Sequence, residues 1–303
     1  MDSKTLFVVL GPTAVGKTKA SLALAEHLQS PVISADSRQM FRDIPIGTAA
    51  PTAAEQSRVE HFFVGNLSLD DYYSASRYET EATDVIMRLF EQGKNNLVLS
   101  GGSMMYIDAV CNGIDEMPDI VPEIRSALKA QFAEEGLPPL VDELLRLDPE
   151  YAAQCDLKNY VRVIHALEIC RQTGRTYTSF RNGGSRSHRP FRIVKIGLDR
   201  PREELFDRIN RRVTAMVEQG FIDEARRVYP LREYNSLNTV GYKELFRFLD
   251  GEWPLDMALD RIRKNTRVYA KKQLTWFRRD ASIRWFHPEH LDEIIEYVDL
   301  LTN

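Results

Sequence analysis

A glycine-rich stretch near the start of the chain has the residue types and the spacing that bind phosphate. Residues 11–18 read GPTAVGKT, a full match to the pattern G-x-x-x-x-G-K-[ST]. Gly11 and Gly16 allow backbone angles and close approach that a side chain would block, so successive N–H groups can point at one anion. Lys17 adds a positive charge, and the Thr18 hydroxyl is placed to ligate Mg²⁺. The pattern predicts a site for at least two linked phosphates.

The residues on either side supply the elements that must position this loop. Residues 5–10 (TLFVVL) form an apolar run typical of a strand covered on both faces. Residues 19–28 (KASLALAEHL) carry apolar side chains at helical spacing. Strand, turn and helix therefore follow in the order that a phosphate-binding loop requires, with the helix N-terminus directed at the anion.

An acidic residue follows the second predicted strand, Val32 to Ala35. The carboxyl ends of neighbouring strands in a doubly wound sheet line one crevice, so Asp36 is expected to face the phosphate loop. Its carboxylate could hold Mg²⁺ through water or act as a general base. The alternative is an aspartate whose side chain only closes the turn after the strand.

A second strand-end motif weighs against nucleotide hydrolysis. Nucleotide hydrolases with a phosphate-binding loop usually hold their metal with an acidic residue at the end of an apolar strand. The best candidate strand here, residues 96–100, runs into Ser100-Gly101-Gly102-Ser103 and has no such acid. Two glycines at a strand end let a backbone or a ligand approach closely, which suits a substrate channel.

The C-terminal part of the chain is strongly basic. Between residues 260 and 279, eight side chains are Lys or Arg and only Asp260 is acidic. Arg263, Arg267 and Lys271 recur every four residues on one helical stripe, a repulsive arrangement unless an anion neutralises it. A phosphate backbone would do so, although a solvated helix face is the alternative. Tyr269, Trp276 and Phe277 could stack on unpaired bases, with core packing at least as expected for Trp276 and Phe277.

Composition narrows the class of protein. The chain has 303 residues, 43% of them hydrophobic, and a net charge of −4, so a nucleic-acid partner must meet a local basic face. No run approaches the roughly 18 apolar residues of a membrane span, and the first residues lack a signal-peptide pattern. Three cysteines in no metal-binding pattern indicate reduced thiols. We expect a cytoplasmic protein that does not contact a membrane.

Five motifs occur in an order that resembles the tRNA dimethylallyltransferase family, in its bacterial form. They are the phosphate loop, DSRQMFRDIPIGTAAP (36–51), SGGSMMY (100–106), VGYKE (240–244) and TRVYAKKQLTWFRR (266–279). The family implies transfer of a dimethylallyl group from dimethylallyl diphosphate to the exocyclic amine of the adenosine immediately 3′ of the tRNA anticodon. Diphosphate is released, and the only cofactor implied is Mg²⁺.

The resemblance also implies roles for individual residues. Asp36 would orient the adenine amine and accept its proton, Thr18 would carry the metal, and Arg212 would contact the diphosphate as part of a lid. Arg208 and Arg211 on the same predicted helix are alternatives for that contact, or belong to a solvated face. The diphosphate would lie against the loop residues Gly11, Thr13, Ala14, Val15, Gly16, Lys17 and Thr18.

A larger set of residues is implied to contact the tRNA anticodon stem-loop. His165 departs from the family pattern, which has arginine there, so a neutral histidine at the edge of the core is an equal alternative. The tRNA set comprises Asp36, Ser37, Arg38, Gln39, Ser103, Arg125, Arg162, His165, Arg263, Arg267 and Lys271.

The predicted architecture is α/β. A P-loop NTPase-like parallel sheet flanked by helices occupies residues 1–116 and 191–303, and the latter range includes the basic C-terminal helices. A small all-helical insertion domain spans residues 117–190 and is expected to contact tRNA. Prolines at helix starts punctuate the insertion. We expect a monomer.

Two other functions remain open from the residues alone. One is a P-loop small-molecule kinase, with a nucleoside triphosphate on the loop and Asp36 activating a hydroxyl. The other is a non-catalytic RNA-binding adaptor that has kept the fold. The basic C-terminal stripe weighs against the kinase, and the intact loop with Asp36 weighs against the adaptor.

Overall fold

The computed structural model describes residues 4–115, 117–181 and 189–302. The chain forms two compact units. The first comprises Met1–Cys111 and Arg189–Asn303, and the second comprises Asn112–His188.

The first unit is built on a six-stranded sheet in which every paired strand runs parallel. The strands are β1 (Thr5–Leu10), β2 (Val32–Ala35), β3 (His61–Phe62), β4 (Asn96–Gly101), β5 (Arg192–Leu198) and β6 (Arg284–Phe286). Their order across the sheet is β3-β2-β4-β1-β5-β6. The carboxyl ends of β1, β2, β4 and β5 therefore lie side by side at one edge. The predicted α/β fold with a parallel sheet is confirmed.

Helices cover both faces of this sheet. Leu6, Val8 and Leu10 of β1 pack into the core on one face, and Phe7 and Val9 pack into the core on the other. This alternation explains why β1 reads as a continuous apolar run. The helices are α1 (Lys17–His27), α2 (Pro45–Thr48), α3 (Ala53–Arg58), α4 (Ala75–Glu91), α5 (Met104–Asn112), α10 (Arg202–Glu218), α11 (Phe221–Val228), α12 (Tyr242–Leu249), α13 (Leu255–Phe277) and α14 (Leu291–Thr302).

Helices are the only regular secondary structure among the described residues of the second unit. It contains α6 (Pro122–Glu135), α7 (Pro138–Leu147), α8 (Pro149–Gln154) and α9 (Tyr160–Thr173). The first three each begin at a proline, whose fixed φ and missing N–H suit the first helical position. A separate core of buried aliphatic residues joins α6, α7 and α9, and it includes Leu128, Leu140, Leu144, Val163 and Leu167.

The limits of the second unit differ slightly from the sequence-based ones. It begins at residue 112, where the sequence placed the boundary after 116, and it ends at 188. Arg189 belongs to the first unit because its guanidinium donates to the carbonyl oxygens of Ala109 (2.9 Å) and Val110 (2.9 Å) and pairs with Glu79. Within the described residues, no helix is both long and apolar enough to cross a bilayer.

Candidate active site

A cavity of about 850 Å³ opens at the carboxyl ends of the central strands. Thr13, Ala14 and residues 16–18 of the phosphate loop line one side, and the turn after β2, beginning with Asp36, lines another. The short helix α2, the inward face of α10 and part of α13 complete the wall. The sequence had placed the loop and Asp36 at one crevice, and both line this cavity.

The loop is shaped for an anion. A Cβ on Gly11 would lie 2.6 Å from the carbonyl oxygen of Leu198 at the end of β5, so no side chain fits there. Gly16 (φ 119°) and Ala14 (φ 63°) both have left-handed backbones, which turn successive N–H groups inward. Among the described residues, no acceptor receives the N–H groups of Ala14, Gly16, Lys17 and Thr18. These four donors suit a bound phosphate.

Two arginines hold the loop from its carbonyl side. Arg208 Nε donates to the carbonyl oxygen of Ala14 (3.0 Å), and Arg200 Nε donates to that of Val15 (2.7 Å). Arg200 is buried and pairs with Glu204 and Glu289. With its carbonyls fixed outward, the loop keeps its N–H groups directed into the cavity.

Lys17 is one of the buried positive charges of the cavity. Its Nζ donates to the carbonyl oxygens of Gly11 (3.0 Å) and Pro12 (2.8 Å). Burial lowers the pKa of Lys17 to about 8, with Asp36 raising it in part and Arg212 lowering it further. A buried ammonium beside a guanidinium is stabilised by an anion. The site therefore favours a multiply charged ligand such as a diphosphate.

Asp36 closes the turn and also faces the cavity. Its Oδ1 accepts hydrogen bonds from the backbone N–H groups of Arg38 (3.0 Å) and Gln39 (3.4 Å). The turn-closing alternative is thus realised. Its Oδ2 receives no hydrogen bond from any described residue, and Asp36 lines the cavity. One carboxylate oxygen is structural, and the other is available to a substrate.

The other residues of this turn are already engaged within the protein. Arg38 Nη1 donates to the carbonyl oxygens of Asn235 (3.0 Å) and Ser236 (3.2 Å). The buried Ser103 accepts a hydrogen bond from the Ser37 N–H (2.8 Å) and donates its own hydroxyl to Ser37 Oγ (3.1 Å). Ser103 therefore links the end of β4 to the turn after β2. Ser37, Arg38, Gln39 and Ser103 all line the cavity, as the tRNA-contact prediction requires.

A buried carboxylate fixes the single turn of helix α2 and the residue that ends it, residues 45–49. Glu224 accepts hydrogen bonds from the N–H groups of Ile46 (2.9 Å) and Gly47 (2.8 Å) and from the Tyr242 hydroxyl. The same turn is held at its end by Gln39, whose amide donates to the Ala49 carbonyl oxygen (2.9 Å). Glu224 and Tyr242 thereby connect two of the sequence motifs, IGTA and VGYKE.

The three arginines of α10 that are candidates for the diphosphate contact have different environments. Arg212 lies inside the cavity wall, where its Nη2 donates to the Thr48 carbonyl oxygen (3.4 Å) and burial lowers its pKa. Arg208 holds the phosphate loop, as described above. Arg211 pairs with Asp207 and its side chain is 69% exposed. The geometry favours Arg212 for a diphosphate contact and gives Arg208 a role in holding the phosphate loop. Arg211 borders the cavity, but its side chain is mostly in solvent.

The basic stripe of α13 is partly neutralised within the protein. Arg263 pairs with Asp260 (2.9 Å), and Arg267 Nη1 donates to the Asn210 side chain (2.8 Å). Lys271 is exposed. Tyr269 lines the cavity, and burial raises its pKa to about 12. Trp276 and Phe277 pack in the core, since Phe277 is buried and Trp276 Nε1 donates to Asp108 (2.8 Å). The core-packing alternative is thus realised for those two.

The three tRNA-contact candidates of the second unit lie on α6 and α9. Arg125 Nε donates to Glu168 (2.9 Å), and His165 Nδ1 lies 3.3 Å from the same carboxylate. Burial alone raises the pKa of Glu168, but the hydrogen bonds from His165 and Arg125 outweigh it and lower that pKa. His165 is half exposed, and Arg162 is exposed on the first turn of α9. His165 therefore sits at the core edge next to an acid.

Thr18 is suited to a magnesium ion that is held chiefly by substrate. Its hydroxyl makes no hydrogen bond with the described residues and lines the cavity in the first turn of α1. In the described ranges, no cluster of three His, Cys, Asp or Glu side chains could bind a metal alone. Mg²⁺ commonly takes one or two protein oxygens and completes its shell with phosphate and water. The donor set fits that mode.

Sequence reasoning missed three buried polar residues around the cavity: Arg200, Glu224 and Gln273. Gln273 accepts a hydrogen bond from the Thr13 N–H (2.9 Å) and donates to the Gly102 carbonyl oxygen (2.8 Å). It belongs to the AKKQLTWF motif, which was quoted for the resemblance without a role. A glutamine on the apolar face of a helix is the signal that could have indicated a buried partner.

Comparisons with known proteins show the family to which the chain belongs. The profile of the IPP transferase family matches residues 39–280. The tRNA dimethylallyltransferase 1 of Bacteroides fragilis is 56% identical over 98% of both chains. A crystal structure of the tRNA isopentenylpyrophosphate transferase of Bacillus halodurans has a TM-score of 0.72 at 37% identity and covers 99% of this chain and 97% of its own. A eukaryotic dimethylallyltransferase acting on tRNA has a TM-score of 0.77 at 26% identity over 90% of this chain and 70% of its own. The chain therefore belongs to the IPP transferase family, as its motifs predicted.

Proposed function

We propose that this chain transfers a dimethylallyl group from dimethylallyl diphosphate to the exocyclic amine of the adenosine immediately 3′ of a tRNA anticodon, with release of diphosphate. One observation carries the proposal. The loop donors with Lys17 and the available Oδ2 of Asp36 face the same cavity, so a leaving group and an acceptor amine can be held together. The relatives named above are tRNA dimethylallyltransferases or tRNA isopentenylpyrophosphate transferases by name, which supports the proposal.

The charges in the cavity suit this chemistry. The allylic C–O bond breaks with its electron pair passing to the diphosphate oxygen, while the amine lone pair forms the new C–N bond. Negative charge therefore develops on the leaving group, where the loop N–H groups, Lys17 and Arg212 stabilise it. Since these groups are positioned before the reaction, little reorganisation is needed.

Asp36 acts at the amine. Oδ2 accepts a hydrogen bond from the exocyclic N–H, orients the lone pair towards the allylic carbon, and takes the proton as the C–N bond forms. An aromatic amine is a weak nucleophile, so orientation contributes more than basicity. Fixing Oδ1 through Arg38 and Gln39 holds the carboxylate in one direction.

An adenine within a stacked loop must leave the stack to enter a cavity. Ser37, Arg38, Gln39 and Tyr269 line the part of the cavity beside Asp36 and are proposed to contact the extruded nucleotide. Lys271, Arg263 and Arg267 on α13, with Arg125, Arg162 and His165 of the second unit, are proposed to contact the anticodon stem-loop. A tRNA substrate implies a cytoplasmic location, and we expect the chain to act as a monomer.

Magnesium is proposed as the cofactor, with Thr18 as its protein ligand. When bound, Mg²⁺ would neutralise charge on the diphosphate. The Thr18 hydroxyl faces the cavity without an internal partner, which supports this assignment.

The proposal is tested by incubating the purified protein with Mg²⁺, dimethylallyl diphosphate and unmodified tRNA, followed by mass spectrometry of the digested nucleosides. A five-carbon addition to one adenosine next to the anticodon is expected, with one diphosphate released per addition. In a parallel mixture that also contains radiolabelled ATP, turnover of the ATP without any such addition to tRNA would instead support the kinase.

A further inference from the structure

The amide of Gln273 lies beside the phosphate loop and is almost entirely buried, with 2% of the residue exposed. Its Oε1 accepts the Thr13 N–H (2.9 Å), and its Nε2 donates to the Gly102 carbonyl oxygen (2.8 Å). Both polar atoms of the amide are therefore committed to backbone groups of the cavity wall. A buried amide with both ends satisfied is held in a single orientation.

The same amide lies near the ammonium of Lys17. A Cβ built on Gly102 would lie 2.6 Å from Gln273 Nε2 and 3.4 Å from Lys17 Nζ. The absence of a side chain at Gly102 is what makes room for both groups. Gln273 thus occupies the space next to the lysine ammonium and Gly102.

The position of Thr13 in the loop matters for the number of phosphates that can bind. The donors of Gly16, Lys17 and Thr18 belong to the N-terminus of α1, and a phosphate there uses them first. In P-loop proteins that hold a nucleoside triphosphate, the loop backbone and its lysine surround both the second and the third phosphate. A third phosphate must therefore use donors farther from the helix. Beyond Ala14, whose N–H group is unengaged among the described residues, the outermost of these donors is Thr13.

In this chain that donor is already taken. We infer that Gln273 is a specificity-determining residue, which adapts a loop of the triphosphate type to diphosphate esters by occupying the Thr13 N–H and the adjoining space. This inference rests on the proposed function, since it assumes that the loop holds a diphosphate. It assigns a role to the glutamine of the AKKQLTWF motif and explains how a full phosphate-loop pattern can serve an enzyme that uses no nucleoside triphosphate.

The test compares the binding of pyrophosphate and of tripolyphosphate, each with Mg²⁺, by calorimetry. Wild-type protein is expected to bind pyrophosphate at least about tenfold more tightly than tripolyphosphate, since a third phosphate finds the Thr13 donor and the adjoining space occupied. In Gln273→Ala, the ratio of the two dissociation constants is expected to shift towards tripolyphosphate by about tenfold or more, the value of one charge-assisted hydrogen bond. Thr275→Ala, an exposed position on the same helix, serves as the matched control and keeps the wild-type ratio.

Thermal unfolding of each variant shows whether it is folded, and Gln273→Ser provides the same test if the alanine variant is not. A folded Gln273 variant with an unchanged ratio would overturn the inference and leave the proposed function intact. Wild-type protein that binds no pyrophosphate with Mg²⁺ would overturn the proposed diphosphate site and the inference with it.

Discussion

The two oxygens of Asp36 have separable roles, and a pair of substitutions distinguishes them. Oδ1 accepts two backbone N–H groups, whereas Oδ2 is available to substrate. Asp36→Asn keeps an oxygen for the turn but replaces the free oxygen by an NH₂ group, which cannot accept a proton. Loss of a positioned base lowers rates by about 10²- to 10⁴-fold. The free energy of unfolding should change little, because the turn keeps its hydrogen bonds.

Asp36→Ala removes both functions. It should lose transfer activity to a similar extent and should also be about 1 kcal/mol less stable than Asp36→Asn, the usual cost of losing such a backbone acceptor. Single-turnover transfer to unmodified tRNA gives the rate, and urea denaturation gives the free energy of unfolding. The KM for dimethylallyl diphosphate should stay within a few-fold of wild type in both variants. An Asp36→Asn variant with more than a tenth of the wild-type rate would refute the reasoning.

Three further predictions follow from the cavity and the basic helix. Arg212→Ala should lower kcat/KM for dimethylallyl diphosphate by about 10²- to 10³-fold. Arg211→Ala should keep kcat/KM within about threefold of wild type, because the Arg211 side chain is 69% exposed. Equal losses in the two variants would contradict the assignment of the diphosphate contact to Arg212. Glu224→Gln should lower the free energy of unfolding by about 2–4 kcal/mol, because a buried backbone donor loses its acceptor. Tyr242→Phe should lower it by about 1–2 kcal/mol. Urea denaturation measures both changes, and a larger cost for Tyr242→Phe would count against this network. Lys271→Ala should reduce the slope of log affinity for tRNA against log salt by about 0.7–0.9, which is the contribution of one phosphate contact. Filter-binding titrations measure this slope, and an unchanged slope would show that Lys271 does not contact a tRNA phosphate.

The sequence predicted those secondary-structure elements whose pattern is contained in a few consecutive residues. The apolar run of β1 and the strand Val32–Ala35 were predicted with the limits that the structure has. The convergence of Asp36 with the phosphate loop followed from a general property of parallel sheets, since neighbouring strand ends share an edge. These predictions needed no knowledge of distant side chains.

The residues that frame the cavity could not be predicted in this way. Gln273 bonds to Thr13, 260 positions away, and Glu224 bonds to Ile46, 178 positions away. Nothing in the local pattern of either helix specifies such partners, because they depend on how α11 and α13 pack against the sheet. The dependence on packing also affected Trp276 and Phe277. An aromatic side chain next to basic residues is compatible with a nucleic-acid surface and with a core, and only the packing of α13 distinguishes the two.

The account's central claim is that the phosphate loop holds the leaving group while Asp36 holds the acceptor amine at the same cavity. A structure of the protein with Mg²⁺, unmodified tRNA and an unreactive thio analogue of dimethylallyl diphosphate tests it most directly. The account predicts the diphosphate within hydrogen-bond distance of Lys17 and the loop N–H groups, the exocyclic amine against Asp36 Oδ2, and about 3–3.5 Å between that nitrogen and the allylic carbon. An extruded adenine bound away from Asp36, or a diphosphate bound away from the loop, would contradict it.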